Sequence, residues 1–342
     1  MQRRSYPQTK SYGEDVTLKD IAEAVGKSVA AVSRALNNYD DISEETREQI
    51  KRVARKMGYA PTNTLGLIIP TLSPRDSDPY FSELLAGITH EATKYGFDLL
   101  ISTCTPGQEE SWSYLRLINT RRVDGLIIAR PRWRDPRIEL LLEKQFPFVV
   151  VGATNLRGDF MSVSDDPVLA AHLVVEHLAA QGHEKIALIN TPSDLFFSSD
   201  FLAGFRQAMR KTGLSINEDL LEECDFSQKE GYHVAQILLS KSETPTAIIT
   251  ADDVVALGVI SAIQDQGLQV GSDIVVTGYG DILLTEYSQP PLTTIHNPTY
   301  NLGQKACQML TSQLRGNTPE EKQIVLKPSL VIRQSSDLAL WL

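Results

Sequence analysis

The chain has 342 residues, of which 42% are hydrophobic and 22% charged, with a formal net charge of −10. This length exceeds what a single hydrophobic core organises and predicts two to three domains. The longest apolar runs are far too short to span a bilayer and the first residues lack the apolar core of a signal peptide, so the composition argues against a membrane protein and predicts a cytoplasmic one.

The charge is unevenly distributed along the chain. Residues 1–63 contain eleven Lys/Arg and nine Asp/Glu, so the negative charge lies in the remaining body. This distribution favours contact with DNA through the N-terminal part alone. Within that part, residues 1–15 are polar and predict a disordered arm, which either adds phosphate contacts or is only a start-site extension.

The three cysteines are sparse and odd in number, which fits a reduced compartment better than a disulfide framework.

Residues 16–63 predict three short helices joined by tight turns. The apolar positions recur at helical spacing, and each helix is preceded by a residue that can cap it. The caps are Thr17, paired with Asp20, for the first helix, Ser28 for the second and Ser43 for the third, and glycines end the first and third helices at Gly26 and Gly58. Two helices separated by a short glycine-containing turn are typical of the helix-turn-helix motif.

This stretch resembles the DNA-binding headpiece of the lactose/galactose repressor family of bacterial regulators. The resemblance is carried by TLKDIAEAVGKS, VSRALNN and ISEETREQIKRVARKMGYAP, and it extends over about residues 17–336. It implies a sequence-specific transcriptional regulator, more often a repressor than an activator, controlled by a small-molecule effector. It also implies a homodimer that places two recognition helices in successive major grooves of operator DNA.

The second helix is the expected recognition helix. The family reads bases with the first residues of this helix, where Val29 and Ala30 stand, and small apolar side chains can contact a thymine methyl group. Arg34 can form a bidentate contact with guanine or bind a phosphate, and the sequence leaves both open. The candidate DNA contacts are Thr17, Ser28, Val29, Ala30, Ser33, Arg34, Asn37 and Thr46.

The connection to the body departs from the family pattern. After the segment Gly58–Pro61 the family has a hinge helix that folds on DNA, whereas here the chain runs directly into an apolar strand. Residues 61–65 can span at most about 17 Å. The sequence therefore predicts that the hinge is missing, so a minor-groove wedge is not expected. It also leaves a rival hypothesis, a solute-sensing or binding protein whose contact with DNA is weakened.

From Leu65 onward, apolar strands alternate with amphipathic helices. This alternation predicts parallel sheets with right-handed crossovers. The family resemblance implies two lobes like those of periplasmic binding proteins. We therefore predict an α/β body behind an all-α headpiece, with lobe 1 at about 64–163 and 292–320 and lobe 2 at about 164–291 and 321–342.

The sequence lacks the motifs of the common enzyme classes. There is no complete GxGxxG, no Walker A sequence and no GxSxG, and His172 and His177 lie five residues apart, which misses the spacing of a zinc-binding helix. We therefore predict a non-enzyme with no metal and no cofactor.

Ligands of two-lobed α/β proteins bind between the lobes, at the carboxyl ends of the strands. The residues expected there are Tyr80, Phe81, Phe196, Phe201, Phe226, Asp252, Asp253 and Asn297. The resemblance implies an Arg for sugar hydroxyls where Phe201 stands, and an Asp where Gly280 stands. Either neighbours such as Asp252 and Asn297 bind a sugar instead, or the aromatic cluster favours a larger, more apolar effector.

Overall fold

The computed structural model describes residues 16–36, 42–59, 62–70, 78–105, 107, 110–317 and 321–337. The predicted arm, residues 1–15, and the DNA-contact candidate Asn37 lie outside these ranges. The described residues form a three-helix headpiece followed by two α/β lobes. None of the described helices is long and apolar enough to cross a membrane.

The headpiece consists of α1 (Leu18–Val25), α2 (Val29–Leu36) and α3 (Glu44–Met57). The predicted caps are present: the Thr17 hydroxyl accepts a hydrogen bond from the Asp20 amide at 3.2 Å, while the Asp20 carboxylate accepts one from the Thr17 amide at 2.7 Å. Gly26 and Gly58 end α1 and α3 with φ of 65° and 78°, a left-handed conformation that favours glycine. A small core holds the three helices together, formed by Ile21, Ala22, Val32, Ala35, Ile50 and Ala54.

The strands of the body are β1 (Thr64–Pro70), β2 (Asp98–Cys104), β3 (Gly125–Ala129), β4 (Phe148–Val151), β5 (Met161–Ser164), β6 (Ile186–Asn190), β7 (Leu221–Glu223), β8 (Ala247–Thr250), β9 (Val275–Gly280), β10 (Thr293–His296), β11 (Gln323–Val325) and β12 (Ser329–Val331). Its helices are α4 (Pro79–Lys94), α5 (Glu110–Asn119), α6 (Pro136–Glu143), α7 (Pro167–Ala180), α8 (Phe196–Lys211), α9 (Gln228–Leu239), α10 (Asp253–Asp265), α11 (Leu284–Tyr287) and α12 (Thr299–Leu314).

Each lobe is built on one six-stranded sheet. The order in lobe 1 is β11-β5-β4-β3-β1-β2, and all its pairings are parallel. The order in lobe 2 is β12-β10-β9-β8-β6-β7, in which only the β10–β12 pairing is antiparallel. The central strands are buried along their whole length because helices cover both faces, which is why their sequences read as continuous apolar runs.

The lobe boundaries differ from the prediction near the C-terminus. The structure places β10 beside β9 in lobe 2 and β11 beside β5 in lobe 1, whereas residues 292–320 were expected in lobe 1 and 321–342 in lobe 2. α12 packs against α4 in lobe 1 as expected. β10 has four residues and β11 has three, which is too short to show a periodic pattern in the sequence. The lobe to which each strand belongs is therefore decided by its backbone pairing.

Candidate effector cleft and nucleic-acid interface

A cavity of about 100 Å³ lies between the two lobes, at the carboxyl ends of their strands. Lobe 1 contributes the loop before α4 and the residue that follows β3, and lobe 2 contributes residues that follow β6, β7 and β8. The polar and aromatic side chains around it are Asp78, Tyr80, Glu83, Arg130, Asp165, Thr191, Phe197, Phe226, Asp252, Tyr279 and Asn297. The cavity is smaller than the roughly 300–1,000 Å³ of most ligand pockets, so the two lobes lie close together in this conformation.

Four of the eight predicted effector residues line this cavity, namely Tyr80, Phe226, Asp252 and Asn297. The Asp252 carboxylate accepts hydrogen bonds from the amides of Val254 at 2.8 Å and Val255 at 3.2 Å, so it also caps α10. Burial raises the pKa of Asp252 to about 7, with a further contribution from the charge of Asp78.

The other four predicted residues do not line the cavity. Phe81 packs in the core of lobe 1, and Phe201 is buried in lobe 2, stacked on Phe197 with ring centroids 5.6 Å apart. Phe196 contacts Trp133 instead, with ring centroids 4.9 Å apart. An aromatic residue has the same pattern in sequence whether it faces a core or a cleft, so the predicted cluster mixed the two.

Asp253 serves the structure of lobe 2 rather than the cavity. Its carboxylate accepts hydrogen bonds from the Thr294 hydroxyl at 2.6 Å and the Ile282 amide at 3.0 Å, and only 1% of the residue is exposed. Burial raises its pKa to about 6. The carboxylate therefore ties β10 and the segment after β9 to the start of α10.

Arg130 is the main cleft residue that the sequence analysis missed. Its guanidinium forms an ion pair with Asp78 and lies 3.8 Å from the ring centroid of Phe226 and 4.7 Å from that of Tyr80. Its backbone is left-handed, with φ of 49°, which is uncommon for a residue other than glycine and is often found at functional sites. The only signal in the sequence is its position, directly after the apolar strand β3.

Two buried polar atoms at the cavity have no hydrogen-bond partner within the described part of the protein. They are the side-chain oxygens Thr191 Oγ1 and Asn297 Oδ1, and the two residues are 3% and 7% exposed. Because buried polar groups are almost always paired, such atoms indicate where a polar ligand or water binds. Nearby, the hydroxyl of Tyr279 donates to Asp165, and burial raises the pKa of that carboxyl group.

The predicted recognition helix, α2, packs against lobe 1. The Ser33 hydroxyl donates to the carbonyl of Leu314 at the end of α12, and Ser33 is only 2% exposed. Gly316 lies so close to α2 that a Cβ atom there would be 2.9 Å from the Ala30 carbonyl oxygen. Val29, 44% exposed, borders a groove of about 440 Å³ between headpiece and lobe 1. In this conformation lobe 1 buries Ser33 and approaches Ala30, whereas Ser28 and Val29 stay exposed.

The remaining predicted DNA contacts lie at the helix ends or on the headpiece surface. Ser28 caps α2 by accepting a hydrogen bond from the Ala31 amide at 3.1 Å, and Thr46 pairs with the hydroxyl of the α3 cap, Ser43, at 2.9 Å. Thr17 caps α1, and Arg34 is partly buried on α2. These side chains therefore have local structural roles in addition to any contact with DNA.

The connection between headpiece and body is short and held by lobe 1. α3 ends at Met57 and β1 begins at Thr64. Arg121 donates from Nη1 to the Gly58 carbonyl at 2.6 Å, and the Asp124 carboxylate accepts a hydrogen bond from the Thr62 amide at 3.1 Å. Within the described residues, no group of three or more His, Cys, Asp or Glu is placed to hold a metal ion.

A helix-turn-helix headpiece joined to two lobes around a polar cleft defines a DNA-binding regulator with a ligand-sensing body. Two family models match the chain: residues 17–62 match "Bacterial regulatory proteins, lacI family", and residues 175–336 match "Periplasmic binding protein-like domain". The repressor CytR of Escherichia coli strain K12 is 31% identical over 94% of this chain and 96% of its own length.

Solved structures agree with these matches. A complex of the transcriptional regulator CelR with cellobiose has 26% identity and a TM-score of 0.76, covering 94% of this chain and 100% of that one. The lac repressor dimer bound to operator and the anti-inducer ONPF has 28% identity and a TM-score of 0.71, covering 94% and 99%.

The chain therefore belongs to the lacI family of bacterial regulatory proteins. It is a DNA-binding transcriptional repressor with an effector-binding body, as its headpiece sequence predicted. The fold class is confirmed: a helical headpiece stands before two lobes of the periplasmic-binding-protein type. These relatives are regulators rather than enzymes, in agreement with the predicted non-enzyme.

Proposed function

We propose that this repressor binds operator DNA through α2 and responds to an uncharged, hydroxyl-rich effector of the sugar class held between the lobes. The observation that carries the proposal is the pair of unpartnered buried oxygens, Thr191 Oγ1 and Asn297 Oδ1, at the cavity. Hydroxyl groups can donate to both oxygens, and they can also donate to the carboxylate of Asp252.

The aromatic and charged surroundings support the same class of ligand. The rings of Tyr80 and Phe226 offer apolar faces for the C–H surfaces of a sugar. Four carboxyl groups and one guanidinium are among the described residues that line the cavity, and that guanidinium, of Arg130, is already paired with Asp78, so the cavity offers little to an anionic ligand. A wholly apolar effector would leave the two oxygens unpaired, at about 1–3 kcal/mol each. The CelR complex, which contains cellobiose, supports a sugar by relationship.

A thermal-shift screen of the full chain tests this effector class. The panel contains neutral mono- and disaccharides, beginning with cellobiose, and the matching sugar acids. A neutral sugar at a hundred times its dissociation constant is expected to stabilise the protein by about 2.7 kcal/mol. The Asn297→Ala variant should lose that shift while unfolding at a similar temperature without ligand. Stabilisation by the sugar acids alone, or by apolar compounds alone, would contradict the proposal.

Operator binding by α2 is tested with a gel shift on DNA from the region upstream of the gene. We expect Arg34→Ala to weaken specific binding by about 1–3 kcal/mol if the guanidinium reads a base, and to lower the salt dependence by about one unit if it binds a phosphate. Failure of the wild-type protein to bind at low salt would favour the rival hypothesis, a solute-sensing protein with weakened DNA contact.

We also infer that a separate hinge helix is lacking. Only six residues separate Met57 from Thr64, which is fewer than two turns of helix, and the contacts of Arg121 and Asp124 already engage the connection. Grafting a family-type hinge after Asn63 should then raise operator affinity and deepen DNA bending, as a gel shift with permuted sites would measure. Unchanged affinity and bend would show that the short connection is neutral.

A homodimer is the third part of the proposal. Lobe 2 exposes three large apolar side chains around α11. They are Leu283, directly before the helix, and Leu284 and Tyr287, its first and last residues. Exposed patches of this kind mark protein interfaces, and the lac repressor relative is a dimer. We expect the protein to act in the cytoplasm without a membrane. Light scattering on the purified chain should report a dimer, and the Tyr287→Glu variant should shift the population toward monomer. A monomeric wild-type chain at micromolar concentration would contradict this.

A further inference from the structure

The two lobes are joined across the mouth of the cleft by a short backbone pairing. The Trp133 amide of lobe 1 donates to the Asp194 carbonyl of lobe 2 at 3.0 Å, and the Phe196 amide of lobe 2 donates to the Pro131 carbonyl of lobe 1 at 3.0 Å. Between them, Arg132 and Leu195 form an isolated antiparallel bridge. We name residues 130–133 the latch segment.

The start of α8 explains why lobe 2 accepts this pairing. The first amides of a helix have no acceptor within the helix and usually bond to a capping side chain. In lobe 2, α7, α9 and α10 are capped by Asp166, Ser227 and Asp252. α8 instead follows Leu195, whose apolar side chain makes no capping hydrogen bond. The Pro131 carbonyl thus supplies from the other lobe an acceptor that the sequence of α8 lacks.

Side chains reinforce the backbone pairing on both sides of it. Trp133 meets Phe196 edge to face, with ring centroids 4.9 Å apart. Arg130 places its guanidinium 3.8 Å from the ring centroid of Phe226, and Asp78 fixes the guanidinium from lobe 1. Cation–π contacts are worth more when they are removed from water, as at this cleft. Contact across the mouth therefore includes two backbone bonds, an aromatic pair and a cation–π pair.

The latch segment is held rigidly by its own lobe. The buried Asp135 carboxylate accepts hydrogen bonds from the Arg132 amide at 2.9 Å and from Arg137 Nε at 2.9 Å. Arg137 also donates from Nη2 to the Arg130 carbonyl at 2.9 Å. Because these bonds fix the segment before it meets lobe 2, little ordering is needed when the cleft closes.

We propose that the latch segment holds the two lobes together across the mouth of the cleft, and that effector entry requires its release. The cavity behind it is only about 100 Å³, so a sugar-sized ligand enters only when the lobes separate. Effector entry is then coupled to release of the pairing between the latch segment and the start of α8. Only this coupling depends on the proposed effector function, whereas the pairing that holds the lobes together does not.

Hydrogen exchange on the full-length, effector-free chain tests the closure. We expect the amides of Trp133 and Phe196 to be protected in the wild type, and their exchange to become at least about tenfold faster in Arg130→Ala. Arg134→Ala is the matched control, since Arg134 also has a left-handed backbone, φ 48°, but its side chain is exposed and it bonds through its amide to Asn155 of lobe 1. It should leave both amides protected.

Phe226→Leu provides a second variant. It removes the aromatic ring under the Arg130 guanidinium and leaves an apolar side chain in its place. It should accelerate the same two amides and increase the radius of gyration in X-ray scattering. Unprotected amides in the wild type, or equal exchange in Arg130→Ala and Arg134→Ala, would overturn the latch. Because no effector is added, these outcomes are independent of whether the effector is a sugar.

Discussion

Phe201 and Phe226 are the same residue type in the same lobe, but their surroundings give them different tasks. Phe201 is 1% exposed and contacts the rings of Phe197 and Tyr279, whereas Phe226 is partly buried at the cleft beneath Arg130. The cost of removing a side chain depends on the cavity that it leaves in a packed core. The two positions therefore separate stability from ligand and lobe contacts.

We expect Phe201→Ala to lower the free energy of unfolding by about 3–5 kcal/mol, as for other buried Phe side chains. Phe226→Ala is the matched control and should cost much less, because its ring already faces the cleft. Urea denaturation of both variants measures the difference. Equal losses at the two positions would place Phe226 in the core, and a negligible loss for Phe201→Ala would contradict its buried packing.

Asp252 predicts a pH dependence of stability. Burial, with the charge of Asp78, raises the pKa of Asp252 to about 7, whereas an unfolded Asp releases its proton near pH 4. Between these values the folded state holds more protons, so the free energy of unfolding falls as pH rises, by at most about 1.4 kcal/mol per pH unit for this group. Above about pH 7 this group causes no further decrease in the free energy of unfolding.

The variant Asp252→Asn keeps an oxygen that can cap α10 and removes this titration. We expect its stability relative to the wild type to increase between about pH 4 and pH 7 and then to level off. Urea unfolding at pH 4.5, 6 and 8 measures this. Parallel stability curves for the two proteins would show that the carboxyl group titrates at its ordinary pKa.

At the residue scale, the sequence identified cleft residues that end strands and missed those fixed by tertiary contacts. Tyr80, Phe226, Asp252 and Asn297 were found from their positions after strands and at a crossover. Arg130 lies among several arginines in a polar stretch, and only the pairing with Asp78 and the ring of Phe226 distinguishes it. Such contacts join residues far apart in the chain, which local pattern does not record.

At the element scale, the short helices of the headpiece depend on their caps. α1 has only eight residues, too few for stability from helix propensity alone. Its capping box satisfies two amides through the side chains of Thr17 and Asp20. The caps of α1, α2 and α3 were predictable because each is a local relationship between residues three apart.

Thr17→Ala should remove one of these bonds and destabilise α1 by about 1 kcal/mol. We expect the amides of α1 to exchange about fivefold faster in hydrogen-exchange measurements on the full chain. Thr17→Ser keeps the hydroxyl and should restore protection. If both substitutions leave exchange unchanged but weaken operator binding, Thr17 acts through DNA contact and not through the cap.

Elements set by long-range pairing were harder to predict. α8 begins at Phe196 directly after an apolar residue, and the acceptor for its first amide belongs to lobe 1, so no capping residue in the sequence marks its start. β10 and β11 exchange lobes relative to the prediction for the same kind of reason, since each is defined by its neighbouring strand. The alternation of apolar strands with amphipathic helices was predictable, because each of these elements has its own repeating pattern along the chain.

At the scale of the whole molecule, the position of the headpiece decides whether the repressor can read DNA. With Ser33 bonded to Leu314 and Ala30 against Gly316, part of α2 is covered by lobe 1. A protein whose binding-competent state is only partly populated shows an affinity reduced by that fraction. The contact with lobe 1 and the proposed contact with operator DNA therefore compete for the same helix.

Arg121 tests this competition, because it belongs to lobe 1 and bonds to the headpiece at the Gly58 carbonyl. Removing the bond in Arg121→Ala should destabilise the docked headpiece by about 1 kcal/mol and tighten operator binding about fivefold in a gel shift. Arg122→Ala is the matched control, since its exposed neighbouring side chain carries the same charge. Operator binding by Arg121→Ala that is no tighter than by Arg122→Ala would show that docking on lobe 1 does not limit access to DNA.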